Sequence, residues 1–124
     1  MSTIKANTLL HSDGSTTNPP AIPALDKRMA KAWVSWSQIG THAIFDSYGI
    51  SSVADQAVGD TYVNFTTAMT TNHYAVLLGG HKISDWGESL QYTNPLAANI
   101  LIRNHNGSGT GIDTNHISLA ILDT

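Results

Sequence analysis

Cysteine is absent from the 124 residues. Disulfides and thiolate metal sites are therefore excluded, and the redox compartment leaves no trace. Charge is sparse as well: Asp, Glu, Lys and Arg make up 12% of the chain, against roughly a quarter in ordinary soluble domains. The net charge is −3, with six basic residues. Apart from Lys27, Arg28 and Lys31 these are scattered, so the chain has no basic patch for a nucleic-acid backbone or an anionic membrane. No apolar run approaches the ~20 residues of a membrane-spanning helix. The N-terminus lacks the apolar core of a signal peptide, so release from a producing cell is expected to follow another route, such as lysis. No tandem repeat or heptad pattern is present.

Thr, Ser, Asn and Gly take the place of the missing charge, a composition that suits strands and turns. The stretch 31–69 is the clearest part. Lys31–Trp36 is aromatic and β-branched, Ala43–Tyr48 is a second run, and Gly49 separates it from a short third, Ile50–Val53. After a loop at 54–59, Thr61–Thr66 alternates, with Val63 and Phe65 on one face and Tyr62, Asn64 and Thr66 on the other. Further strands are expected at 73–80, 98–104 and 116–122. In the first Tyr74, Val76 and Leu78 share a face, and in the last Ile117, Leu119 and Ile121 do. Residues 81–97 read as one long loop. About seven short strands with frequent turns predict an all-β chain, an antiparallel β-sandwich with an extended N-terminal arm. The expected division is an arm with a Pro-rich linker at 1–26 and a sandwich domain at 27–124.

In the arm, Ile4, Leu9, Leu10 and Ile22 are the apolar anchors, separated by the turn-rich HSDGSTTN and by Pro19-Pro20-Ala21-Ile22-Pro23, which favours an extended conformation. A purely solvated tail would not need these anchors, so they are candidates for attachment to a partner protein or a sister subunit.

Several strands are apolar on both faces. Trp33 lies opposite Ala32, Val34 and Trp36; Ile44 and Tyr48 lie opposite Ala43 and Phe45; Leu101 lies opposite Ile100 and Ile102. A small sandwich cannot bury both faces of most of its strands. Trp33, Ile44, Tyr48 and Leu101 are accordingly candidates for a subunit interface. In the 81–97 stretch, Trp86, Tyr92 and Asn94 combine aromatic faces with amide groups, the chemistry that suits sugar recognition, and are candidate receptor contacts.

Catalytic signals are weak. None of the six histidines is spaced for a local metal motif, and neither a metal nor any other cofactor is expected. Asp85 and Glu88 beside Trp86 form the best carboxylate pair for a glycosidase, but the chain is short for such an enzyme. There is no Gly-x-Ser-x-Gly elbow and no phosphate loop. The expectation is a protein that is not an enzyme.

The segments KAWV (31–34), DSYGISSVAD (46–55), GDTYVNFTTAM (59–69) and NHYAV (72–76), with the opening STIKANTL, resemble a module of bacteriophage virion and tail-fibre proteins, especially those of phages of cyanobacteria and other marine bacteria. The resemblance spans most of the chain and is weakest from Lys82 onward. It implies a β-rich fold, a virion location and a homotrimer that contacts other tail or virion proteins and, at the host, surface polysaccharide. It transfers no active-site residue. The function it implies is a short tail fibre or fibre tip that attaches the particle to its host. The alternatives are a head-decoration or other virion component without a receptor role, and a small carbohydrate-active enzyme.

Overall fold

A computed structural model describes residues 28–81 and 89–123, together with positions 3, 5–8, 10, 13 and 14. The described residues contain no helix and form eight strands: β1 Ala32–Ser37, β2 Ala43–Tyr48, β3 Ile50–Ala57, β4 Asp60–Phe65, β5 Ala75–Gly80, β6 Ser89–Thr93, β7 Asn99–His105 and β8 Ile117–Leu122. All pairings are antiparallel, in two four-stranded sheets ordered β2-β1-β8-β5 and β3-β4-β7-β6. The β-sandwich expected from the alternation is the architecture observed.

The core follows from the period of two. Ala32, Val34 and Trp36 of β1 and Ile117, Leu119 and Ile121 of β8 line one inner face. Val63 and Phe65 of β4 and Ile100 and Ile102 of β7 line the other. These four strands are central in their sheets, so their inward side chains are covered from every direction. The four edge strands contribute only half-buried residues, among them Ile50, Val53, Val76, Leu78 and Leu90.

Gly49 is the only residue between β2 and β3, and there the chain passes from one sheet into the other. Its φ of 68° lies in the left-handed region, and a Cβ on it would stand 2.8 Å from the Lys31 carbonyl oxygen. Glycine is required on both counts.

Three expectations need correction. The stretch read as one loop at 81–97 contains a strand, β6, which brings the described residues to eight strands where about seven were expected. β6 is a short polar edge strand, Ser-Leu-Gln-Tyr-Thr, and lacks the apolar content by which strands are recognised. β3 runs to Ala57, through the Asp55-Gln56 assigned to a loop; as an edge strand it leaves nearly every residue exposed and tolerates polar side chains. Finally, the pairing of β1 with β2 shifts register between Ser35 and Trp36. The extra residue, Phe45, breaks the alternation along β2, so Ile44 pairs with inward Trp36 while Tyr48 pairs with outward Trp33. Ile44 and Tyr48 therefore do not share a face.

Candidate functional site

Directly opposed residues of antiparallel neighbours lie on the same face of the sheet. On the outer face of β2-β1-β8-β5, the registers place Tyr48, Trp33, Ala120 and Leu77 in one row across all four strands. Trp33 is 36% exposed, Tyr48 45% and Leu77 60%. The next row is Asp46, Ser35, Ser118 and Gly79. Between the Trp33 and Leu77 walls runs an open groove of ≈ 550 Å³ floored by Gly79, Ser118 and Ala120. Phe45, 59% exposed, flanks it, its ring edge-on to His116 at 5.6 Å between centroids. The His116 Nε2 lies 2.7 Å from Ser35 Oγ, which holds the imidazole against the sheet.

Tyr48 also lines a second depression, a cleft of ≈ 470 Å³ at one end of the sandwich. Its other walls are Lys31, Gly49, the run Thr66–Thr70 and Asp123. Asp123 Oδ2 accepts a hydrogen bond from the Thr70 backbone N–H at 2.7 Å, fixing the 66–70 segment to the end of β8. Groove and cleft meet at the Trp33–Tyr48 cross-strand pair, giving a surface that passes from apolar to polar.

Close to the cleft, Tyr74 is buried and donates its hydroxyl to the Leu96 carbonyl at 3.0 Å. Burial, then the neighbouring Tyr92 and Asp123, push its pKa up to about 12. The phenol acts here as a neutral donor that pins the 94–99 turn to the start of β5.

The opposite end is closed by buried polar groups. Gln38 Nε2 donates to the Gly59 carbonyl at 2.9 Å and to Thr61 Oγ1 at 3.0 Å. Its Oε1 accepts from the Thr114 N–H at 3.2 Å. The Thr114 hydroxyl donates to the His81 carbonyl at 2.6 Å, and Asn104 Nδ2 to the Ile112 carbonyl at 2.9 Å. Gly59 N–H donates to Asp113 Oδ1 at 2.7 Å. These bonds tie both sheets to the 111–115 segment. Sequence reasoning missed this network, since Gln, Thr and Asn next to glycines read as solvated turns.

Several titratable side chains have structural partners. Asp60 Oδ1 lies 3.0 Å from His105 Nε2, and its Oδ2 lies 3.3 Å from Arg103 Nε. His42 lies between Thr61 Oγ1, at 3.3 Å, and Asp55, at 3.7 Å. His81 Nδ1 is 2.9 Å from Asn115 Oδ1. Among the described residues no group of three or more His, Cys, Asp or Glu is placed to hold a metal ion.

The sequence-predicted residues divide as follows. Trp33 and Tyr48 come together on one face. Ile44 is on the inward side of an edge strand, and Leu101 is on the outer face of the other sheet, between Tyr62 and Thr93. These four do not make one patch. Tyr92 belongs to β6 and is exposed, and Asn94 follows in a turn with φ of 49°. Trp86, Asp85 and Glu88 lie outside the described residues, as do Ile4, Leu9 and Ile22; Leu10 is described and is exposed. Leu77, which completes the outer row, was not singled out, because a leucine inside AVLLGG reads as core.

The chain matches no protein-family model, no curated protein and no solved structure.

Proposed function

We propose that this chain is a non-enzymatic, homo-oligomeric module of a bacteriophage virion, a short tail fibre or fibre tip that helps fix the particle to the host surface. The observation that carries the reading is the Tyr48–Trp33–Ala120–Leu77 row together with its adjoining cleft. A four-stranded sheet exposes a tryptophan, a tyrosine and a leucine in line, and its two central strands, β1 and β8, have their other faces locked into the core. Such a row is suited to burial against another protein of the particle. Much of the cleft lining, Lys31, Tyr48–Gly49 and Thr66–Met69, comes from the segments on which the expected likeness to phage virion modules rests, and it adjoins the exposed aromatic pair. Weak single contacts become strong attachment when a particle presents many copies.

The test is the double substitution Trp33→Ala with Tyr48→Ala. Both side chains are partly exposed and point away from the core, so the sandwich should fold. Covering one indole contributes roughly 2–3 kcal/mol, so incorporation into particles, and adsorption of those particles to host cells, should fall at least tenfold. Normal incorporation and adsorption of the folded double variant would refute the reading. A role in head decoration is separated by labelling the protein on intact particles: density at the tail supports attachment, and density on the capsid supports decoration.

A further inference from the structure

The free edge of β5 is unlike the other three sheet edges. β2 carries a bulge and Asp46, β3 carries Asp55 and two register shifts, and β6 is five residues long and ends at Asn94-Pro95. Each of these features discourages pairing with another strand. β5, Ala-Val-Leu-Leu-Gly-Gly, has no charge, no proline and an unbroken register.

The direction of its backbone groups follows from the ladder. The His81 N–H donates to the His116 carbonyl at 2.8 Å, in the continuation of the β5–β8 register. Bonded pairs alternate along an antiparallel ladder. Gly79, Leu77 and Ala75 therefore bond to β8, and Val76, Leu78 and Gly80 turn their N–H and C=O groups to the free edge. Among the described residues no strand pairs with that edge.

Gly79 is the second, independent observation. Glycine inside a strand costs about 0.5–1 kcal/mol relative to alanine. Nothing in the fold requires it here: its φ is not left-handed, and a Cβ would meet no atom within 4 Å. A glycine of this kind marks a place where another chain approaches closely.

We propose that β5 pairs antiparallel with β5 of a second copy of this chain, about a two-fold axis at Leu78. This register uses every outward backbone group: Leu78 bonds to Leu78 of the second copy, and Val76 to its Gly80. On the outer face it sets Leu77 of each copy opposite Gly79 of the other, a knob into a hole, so that the exposed leucine covers the bare end of the groove. In the resulting eight-stranded sheet the Tyr48–Trp33–Ala120–Leu77 row of each copy runs into the Gly79–Ser118–Ser35–Asp46 row of the other. Because β5 carries no charge, the pairing opposes no like charges. The inference stands apart from the virion reading and holds for the isolated protein.

The experiment uses the full chain. Light scattering should give a two-copy mass or an even multiple of it, and the Val76, Leu78 and Gly80 amides should exchange more slowly at 1 mM than at 20 μM. Gly79→Val fills the hole, and its Cβ would meet no atom of its own subunit within 4 Å. It should raise the dissociation constant at least tenfold and abolish the concentration-dependent protection, with thermal stability unchanged or higher. If Gly79→Val is insoluble, Leu77→Lys at an exposed position gives the same readout. A wild-type mass of one or three copies would overturn the pairing, as would a mass indifferent to both substitutions. Loss of edge protection on deleting residues 1–24 would also overturn it, by making the arm the occupant of the edge.

Discussion

Gln38→Ala should be among the most damaging single substitutions in this protein, although glutamine is seldom a core residue. Gln38 is 0% exposed and makes three side-chain hydrogen bonds, to the Gly59 carbonyl, Thr61 Oγ1 and the Thr114 N–H. Truncation does not orphan all three partners. The Gly59 carbonyl keeps the Asn104 N–H at 2.8 Å, and Thr61 Oγ1 keeps His42 Nδ1 at 3.3 Å. The Thr114 N–H has no such second partner in the network and sits in a residue 1% exposed. One buried unsatisfied donor costs about 1–3 kcal/mol, and each of the two satisfied bonds lost adds roughly 0.5–1.5 kcal/mol. The total is about 2–6 kcal/mol, which for a domain near 100 residues is a fall in Tm of roughly 8–48 °C. Denaturant unfolding followed by tryptophan fluorescence gives the free energy, and calorimetry gives the Tm. A loss below about 1 kcal/mol would refute the reasoning, because it would mean that water replaces the amide and that the end of the sandwich is not sealed. Gln38→Glu refines the test. It retains the acceptor for Thr114 but sets an oxygen against the Gly59 carbonyl, so this variant should be more stable at acidic pH, where the carboxyl can donate, than at neutral pH.

Other outcomes follow from the same structure. The raised Tyr74 pKa means that the native state holds its proton between pH 10 and about 12 while the unfolded chain releases it; this contribution is complete below pH 10 and is lost as pH rises through about 12. Unfolding titrations of wild type should lose stability across that window, and those of Tyr74→Phe should lose less. Gly59→Ala should be severely destabilising, by roughly 3 kcal/mol or more, because φ is 80° and the new Cβ would overlap the Asn104 carbonyl; chemical denaturation measures it, and near-wild-type stability would show that the turn moves freely. Deleting residues 1–24 should leave the circular dichroism of the sandwich intact while abolishing incorporation into particles, and normal incorporation would remove the attachment role from Ile4, Leu9, Leu10 and Ile22.

The parts of the fold that could be read from sequence are those where burial is one-sided and the strand is central. Val63 with Phe65, and Ile117 with Leu119 and Ile121, announce both strand and inward face, because a central strand must fill each inward position with an apolar side chain. Edge strands face no such demand. β6 hides a strand behind Ser, Gln and Thr, and β3 continues through Asp55-Gln56 because its outer side meets solvent. The bulge at Phe45 is invisible for a different reason. It depends on how β2 lies against β1, a long-range fact that no local pattern encodes, and it undoes the parity that grouped Ile44 with Tyr48. Of the candidate contact residues, Trp33 and Tyr48 were legible because an aromatic opposite a core run is hard to explain otherwise. Leu77 and Gly79 were not, since their meaning lies in β5 being an edge.

The two outer faces also differ in a way that bears on which side of the molecule meets a partner. On β3-β4-β7-β6 the outward positions include Ser52, Asn64, Asn99, Asp60, Arg103, Gln91, His105 and Ser89, with Tyr62, Leu101 and Thr93 as one less polar row among them. Asn64 Nδ2 donates to Ser52 Oγ at 3.0 Å, and Asp60 binds both Arg103 and His105, so several of the polar groups there satisfy one another along the sheet. On β2-β1-β8-β5 the corresponding rows hold Tyr48, Trp33, Ala120 and Leu77 beside Ser35, Ser118 and Gly79. Scattered surface apolars would distribute over both faces. Among outward-facing strand positions, the exposed large hydrophobics Trp33, Tyr48 and Leu77 stand in register on one face, over small residues that leave a groove. Tyr62 and Leu101 sit among polar groups on that face, whereas the Trp33 row, with the uncharged β5 edge at its end, has the composition expected of the contact surfaces proposed above.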